Sequence, residues 1–221
     1  MNHSFKLSLT GDLATISQHK VICITGTDTG IGKTVVTGLL AKELASHGSV
    51  VTQKWIQSGD LDSPDIKTHD QLSKYMHDAK FVSDRQVYSF NDPVSPHLAA
   101  KLAKKTIEPG LLKSATHRLA SAFDTVLVET SGGIMVPLSE SMTTGDLVAD
   151  MKIPTIVVVP NKLGTINHSL LTMQYLTQHN IPIIGFIINQ FDQSESQLQV
   201  DNPSIIHKLS GAPKLGTVIT G

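Results

Sequence analysis

The sequence predicts an α/β domain with a mostly parallel sheet and helices on both faces. Three observations predict it. Apolar, β-branched runs alternate with segments of helical spacing from residue 20 onward. Those runs are continuously Val- and Ile-rich instead of alternating with polar residues, as strands covered on both sides must be. The polar residues with chemical potential cluster just beyond the carboxyl ends of the runs, where open α/β sheets bind ligands.

The first run, 21–25, ends in Thr25-Gly26-Thr27-Asp28-Thr29-Gly30-Ile31-Gly32-Lys33-Thr34. A glycine-rich turn leading into a helix presents a row of backbone N–H groups, and phosphate oxygens fit such a concavity. Gly-Lys-Thr before an amphipathic helix is the ending of a phosphate loop, in which Lys33 reaches the β- and γ-phosphates and the Thr34 hydroxyl holds Mg²⁺. The strict spacing G-x-x-x-x-G-K-[ST] fails, because its first glycine falls on Thr27 and Gly26 sits one place early. The chain therefore reads as a single-domain P-loop NTPase-like fold that handles a nucleoside triphosphate.

The remaining elements follow in order. Val36, Leu39, Leu40 and Leu44 predict a helix over 33–47, stopped by Gly48. A strand is predicted over 49–55 and a polar loop over 57–69. Helices are predicted over 68–77, 96–104 and 109–122, then a strand over 125–129 with Ser131-Gly132-Gly133 beyond it. A short helix over 144–151, the most apolar strand over 154–159, a helix over 165–179 and a strand over 181–189 come next. A helix over 202–209 and a short strand over 214–218 complete the pattern. Residues 1–19 read as an extension or a small hairpin turning at Gly11-Asp12, and residues 20–221 as one domain.

Composition narrows the partners. A net charge of −1 without basic runs gives no electrostatic reason to expect nucleic acid or a membrane surface. No apolar stretch approaches spanning length, and residues 1–20 lack the apolar core of a signal peptide. The lone Cys23 lies in an apolar strand and reads as a buried structural thiol, consistent with a cytoplasmic protein.

Four further positions carry candidate chemistry. Lys54, at a strand end facing the phosphate loop, would neutralise transferring phosphoryl oxygens; the alternative is a solvated lysine. Glu129 closes an apolar strand, where a carboxylate is costly unless paired or metal-bound, and so is a candidate Mg²⁺ ligand. Asp70 is a second candidate ligand, on a more polar stretch. The start of the helix at Thr165 offers free N–H groups to an anion, or is closed by ordinary capping from Thr165 or Asn167. His97, His117 and His168 have no metal-ligand spacing.

Five ordered motifs resemble the dethiobiotin synthetase family. They are Gly26-Thr27-Asp28-Thr29-Gly30-Ile31-Gly32-Lys33-Thr34, Lys54-Trp55-Ile56-Gln57-Ser58-Gly59, Pro93-Val94-Ser95-Pro96-His97-Leu98-Ala99-Ala100, Glu129-Thr130-Ser131-Gly132-Gly133-Ile134-Met135-Val136-Pro137-Leu138 and Lys162-Leu163-Gly164-Thr165-Ile166-Asn167-His168. The resemblance implies an ATP-dependent ligase acting on 7,8-diaminopelargonate and CO₂ or bicarbonate, through a carbamate and its phosphorylated form, to close a ureido ring. It implies Mg²⁺ on Thr34, Asp70 and Glu129, and nucleotide contacts from Gly30, Ile31, Gly32, Lys33, Thr34, Val35, Gly132, Asn189 and Gln190. Lys33 and Lys54 would be catalytic, and Thr29 and Ser58 would touch the diamine or carbamate. Gly164, Thr165, Ile166 and Asn167 would come from the second subunit of a homodimer to receive the substrate carboxylate.

Departures from the family pattern are Gly30 for a frequent acidic residue, Trp55 for proline, and Thr130-Ser131 for Gly-Ala, Thr130 adding bulk near the nucleotide. The sequence also ends at Gly221 without the family's proline and base-enclosing tail. Other classes fit less well. A glutamine-dependent amidoligase would need a further domain with a cysteine nucleophile. A deviant-Walker switch ATPase would need a lysine at Asp28, and a paralogue without turnover would release no ADP.

Overall fold

A computed structural model describes residues 5–75, 77–190 and 197–220. Its centre is one eight-stranded sheet in the order β1-β8-β7-β6-β2-β5-β3-β4. The strands are β1 (Phe5–Leu9), β2 (Val21–Gly26), β3 (Val50–Ser58), β4 (Gln86–Phe90), β5 (Thr125–Gly133), β6 (Thr155–Pro160), β7 (Ile183–Gln190) and β8 (Lys214–Thr220). Every pairing is parallel except β1 with β8.

The Val/Ile runs fill both faces by the two-residue period of a strand. Ile22 and Ile24 of β2, Leu127 of β5, Ile156 and Val158 of β6 and Ile187 of β7 point to one side. They meet Val36, Leu39, Leu40 and Leu44 of α2 (Lys33–Leu44). Cys23, Val126, Val128, Val157, Val159, Phe186 and Ile188 point to the other. There they meet α5 (Pro96–Leu102), α6 (Pro109–Ala122), α7 (Thr144–Asp150), α8 (Thr165–Gln178) and α9 (Gln197–Ser210). Cys23 is fully buried, and burial pushes its thiol up to about 12, which keeps it protonated and inert.

Four stretches depart from the sequence expectation. The N-terminal segment is not a separate hairpin. β1 extends the main sheet as its antiparallel edge, Leu7 opposite Val218. The turn at Thr10-Gly11 is held by both backbone N–H groups on Leu215 O (2.8 and 2.9 Å). A short helix, α1 (Leu13–Ser17), then starts at Asp12, whose carboxylate accepts from Ala14 N and Thr15 Oγ1, and it buries Ile16 beside α2. Residues 1–4 of that segment lie outside the described residues.

The predicted loop over 57–69 contains α3 (Pro64–Ser73), which begins four residues before the helix expected at 68–77. Proline at its first position and Asp65 in its first turn are favourable start signals. Its buried residues are His69 and Ser73, so a search for apolar spacing passes it over. α3 lies close against α2 because residue 38 is glycine. A Cβ there would come within 2.9 Å of Leu72 Cβ and 3.2 Å of His69 Cα.

Past α3, a 3₁₀ turn (Ala79–Phe81) and α4 (Val82–Arg85) lead to β4, an edge strand that the polar alternation of Gln86, Tyr88 and Ser89 conceals. Finally, β5 runs on past Glu129 to Gly133. Gly133 pairs with Gly26, where an added Cβ would meet Gly26 O at 3.1 Å.

Candidate active site

The phosphate loop joins β2 to α2. Gly30 (φ 70°) and Gly32 (φ 88°) take left-handed backbone that other residues enter only with strain. Gly26 is needed for a different reason: a Cβ there would sit 2.4 Å from Ile31 Cδ1, the side chain that folds under the loop. This accounts for the early glycine of the motif. Asn189, at the end of β7, donates from Nδ2 to Ile31 O (2.8 Å) and braces the same turn from behind. Lys33 is buried, its Nζ donating to Asp28 O at 2.8 Å. Burial, with nearby Lys54 adding to it and Glu129 opposing, lowers the Lys33 ammonium to about 8.

Below the loop a charged cluster converges from four elements. Lys54 Nζ of β3 lies 2.7 Å from Glu129 Oε1 of β5 and 2.7 Å from Asp65 Oδ2 of α3, and donates to Thr130 O at 3.3 Å. Thr34 Oγ1, in the first turn of α2, lies 3.1 Å from Glu129 Oε1 and 3.2 Å from Asp65 Oδ1. His69 Nε2 of α3 meets the other oxygen, Glu129 Oε2, at 2.7 Å. Glu129 is wholly buried. Burial alone would raise its pKa, but Lys54 and His69 outweigh that and hold it well below the usual carboxylate range. The same balance runs the other way for Lys54: burial disfavours its charge, while Glu129 and Asp65 prevail and raise it above an ordinary lysine.

The cluster opens into a cleft of about 500 Å³. Of the residues expected from sequence, Thr29, Gly30, Gly32, Lys33, Thr34, Lys54, Ser58, Glu129 and Gly132 line it, together with Pro93, Val94, Ser95 and Pro96. Ile31, Val35, Asn189, Gln190 and Gly164 to Asn167 do not.

Asp70, expected from the sequence as a Mg²⁺ ligand, lies away from Thr34 and Glu129. It is engaged by Arg85, with Nη2 2.5 Å from Oδ1 and Nη1 3.0 Å from Oδ2, and does not line the cleft. The carboxylate beside Thr34 is Asp65, one and a half turns earlier on the same helix. The reason is helical phase: residues five apart face different directions, and Asp65 and His69, four apart, share the inward stripe. The signal available in the sequence was Ser63-Pro64-Asp65 as a helix start.

The substituted positions also resolve. Trp55 points away from the cleft, buried against α6, and donates from Nε1 to Thr116 Oγ1 (3.0 Å). Thr130 does not crowd the cleft. Its hydroxyl turns onto Thr25 Oγ1 (3.1 Å) and Gly132 O (3.1 Å), tying β5 to β2.

At α8, Gly164 (φ 89°) occupies the cap position, and neither Thr165 nor Asn167 caps the helix by a side chain. Thr165 is buried while Leu163 is 87% exposed. Gln190 joins an amide cluster, donating from Nε2 to Gln199 Oε1 (3.0 Å), while Asn202 Nδ2 donates to Asn161 Oδ1 (2.9 Å).

Thr34, Asp65 and Glu129 bring a hydroxyl and two carboxylates together, a set of hard oxygen donors that suits Mg²⁺. Among the described residues no group of three or more His, Cys, Asp or Glu is placed to hold a metal, so phosphate oxygens and water would have to complete such a shell. No helix among the described residues is long and apolar enough to cross a membrane.

A parallel sheet, a phosphate loop opening α2 and a lysine–carboxylate cluster beneath it define a P-loop nucleotide-using protein. Residues 20–219 match the family described as an AAA domain. The chain is 37% identical over 195 residues to the ATP-dependent dethiobiotin synthetase BioD 2 of Pasteurella multocida, covering 86% of this chain and 90% of that one. It is 39% identical over 182 residues to the protein of that name from Haemophilus ducreyi, covering 81% and 86%. Against the ATP-dependent dethiobiotin synthetase BioD of Halalkalibacterium halodurans it is 37% identical over 199 residues, covering 88% and 82%. The chain belongs to the dethiobiotin synthetase family. In fold it also resembles a ParA family ATPase from Chlorobium tepidum, with a TM-score of 0.54, 16% identity and coverage of 91% and 84%.

Proposed function

We propose that this protein is an ATP-dependent dethiobiotin synthetase: a ligase that joins CO₂ to 7,8-diaminopelargonate and closes the ureido ring, with Mg²⁺ as cofactor and a homodimer as the working unit. The observation that carries the reading is the convergence of Lys33, Thr34, Lys54, Asp65 and Glu129 on one cleft, in a chain with relatives of that name.

The chemistry asks little of a general base. A carbamate formed from one amine and CO₂ takes the γ-phosphoryl group, and the second amine displaces phosphate. Each step concentrates negative charge on oxygens, and fixed cations lower its barrier. Lys33 and the loop N–H groups grip the triphosphate. Lys54, clamped at 2.7 Å by both Glu129 and Asp65, cannot swing and offers its charge from a fixed point. Thr29 and Ser58 line the same cleft and orient the diamine or carbamate. Mg²⁺, held by Thr34, Asp65 and Glu129, would supply charge neutralisation at the phosphates.

The homodimer is supported by Gly164 to Asn167. This cap-free helix start lies outside its own chain's cleft, so its N–H groups can serve a substrate carboxylate only from a second copy. The cytoplasm is the compartment this reading places it in.

The test measures ADP release and dethiobiotin formation with ATP, Mg²⁺, diaminopelargonate and bicarbonate, each omitted in turn. The expected result is dependence on all four. ADP release without diamine and bicarbonate would mark a switch ATPase instead, and no turnover with all present would mark a chain without activity. Light scattering reads the mass: a monomer under turnover conditions removes the dimer.

A further inference from the structure

His69 reaches the charged cluster from α3 and meets it through one ring nitrogen. It is completely buried on α3, and among the described residues its Nδ1 has no hydrogen-bond partner. An unpartnered buried nitrogen costs free energy that an apolar side chain of similar size would not. Among the described residues its one polar contact is Nε2 on Glu129 Oε2 at 2.7 Å. A carboxylate only accepts, so Nε2 carries the hydrogen.

That bond decides how Glu129 is presented. Oε1 receives Lys54 (2.7 Å) and faces Thr34 (3.1 Å), while Oε2 is taken by His69. Two groups on Oε1 and one on Oε2 fix the plane of the carboxylate and turn a single oxygen toward Thr34 and Asp65. Gly38 makes the arrangement possible, because only glycine lets α3 approach α2 closely enough to deliver His69.

Ca²⁺ readily takes both oxygens of a carboxylate in a loose shell of six to eight ligands, whereas Mg²⁺ demands a compact octahedron. We propose that His69 is a positioning residue that holds Glu129 to one-oxygen presentation and thereby makes the Thr34–Asp65–Glu129 site select Mg²⁺ over Ca²⁺. The proposal rests on the reading that these three residues bind a divalent cation with the nucleotide.

The experiment compares wild type, His69→Gln and His69→Leu. Glutamine can set an N–H where Nε2 stands; leucine fills the space without a donor. Mn²⁺ binding with a nonhydrolysable ATP analogue is followed by electron paramagnetic resonance, and Mg²⁺ and Ca²⁺ are titrated as competitors.

For wild type a clear Mg²⁺ preference is expected. His69→Leu should lose roughly tenfold of the Mg²⁺-over-Ca²⁺ ratio, the scale on which partners of metal ligands act, and should melt lower than wild type because Glu129 Oε2 loses its donor. His69→Gln should stay close to wild type. An unchanged ratio in His69→Leu overturns the role of His69 while leaving the cation site standing. No cation binding in wild type overturns the cation site itself, and the proposal with it. If the leucine variant does not fold, His69→Asn replaces it, since its shorter amide cannot reach Oε2. Equal ratios for the asparagine and glutamine variants overturn the proposal.

Discussion

Two helix starts in this molecule are built alike and placed differently. α2 and α8 each begin after a glycine in left-handed backbone, Gly32 at φ 88° and Gly164 at φ 89°, and neither is capped by a side chain. Both therefore present the positive end of a helix dipole, although at α8 the first N–H, Thr165 N, already donates to Lys162 O (3.2 Å). The start of α2 faces inward. Lys33 beside it is 5% exposed, and Thr34 meets two carboxylates of its own chain. At the start of α8, Leu163 is 87% exposed, and Gly164 to Asn167 lie outside the cleft that Thr34 lines. The backbone device is the same, so what differs is who supplies the rest of the site. Around α2 this chain does so itself; around α8, in the proposed homodimer, a second copy would.

The inward site should break hardest. Lys54→Ala is expected to lower ring closure by about 10²–10³-fold, the scale of losing one fixed group that stabilises developing charge. Nucleotide affinity, measured by fluorescence of a labelled ATP analogue, should change far less because Lys33 remains. Near-wild-type turnover would take Lys54 out of the chemistry. The same substitution leaves Glu129 and Asp65 without their shared cation, so a lower melting temperature is expected with it.

Next in size, Asp65→Asn should raise the Mg²⁺ concentration for half-maximal rate by about tenfold or more, because it takes an anionic donor from the proposed Mg²⁺ site. Asp70→Asn should leave that midpoint alone and instead cost about 1–3 kcal/mol of stability, read by denaturant melts, through the weakened pair with buried Arg85. The opposite pattern would return the ligand role to Asp70.

Asp65 and Asp70 also show where sequence reading reached its end. The buried sheet was legible because strands covered on both faces leave continuous apolar runs, as at Val126-Leu127-Val128 and Ile156-Val157-Val158. Lys54 and Glu129 were legible because each sits at the end of such a run, and Lys33 and Thr34 because Gly-Lys-Thr closes the glycine-rich loop that follows one. α3 was not, because it turns polar side chains inward onto other polar groups, and apolar periodicity is blind to that. With the helix phase unknown, any of several acidic residues in the stretch was an equal candidate. β1 was hidden for a different reason: its partner, β8, lies some 200 residues away, and pairing at that distance leaves no local mark.

The glycine pair tests the comparison directly. Alanine in left-handed backbone costs about 1–2 kcal/mol. Gly32→Ala should therefore weaken nucleotide binding by roughly tenfold, while Gly164→Ala leaves it unchanged and raises the KM for diaminopelargonate by a similar factor. Equal effects of the two on nucleotide affinity would mean that the starts of α2 and α8 serve one ligand.

The smallest effect is in pH, and it belongs to the inward start alone. Lys33 is lowered to about 8, chiefly by burial, and triphosphate beside it favours the ammonium. Binding above pH 8 must then be accompanied by proton uptake. From pH 8 to pH 9 the protonated fraction falls from one half to about one eleventh, so nucleotide affinity should fall about fivefold. Titration calorimetry in buffers of different ionisation enthalpy reads the proton directly. Stability moves the opposite way. The folded pKa lies below that of lysine in an unfolded chain, so the penalty of a charged Lys33 is full below pH 8. It is relieved as pH rises through that value. Nucleotide affinity that stays level from pH 7 to pH 9.5, with no buffer-dependent heat, would mean that Lys33 keeps its charge in the buried loop. The α2 start would then owe its grip to the backbone N–H groups that it shares in kind with α8.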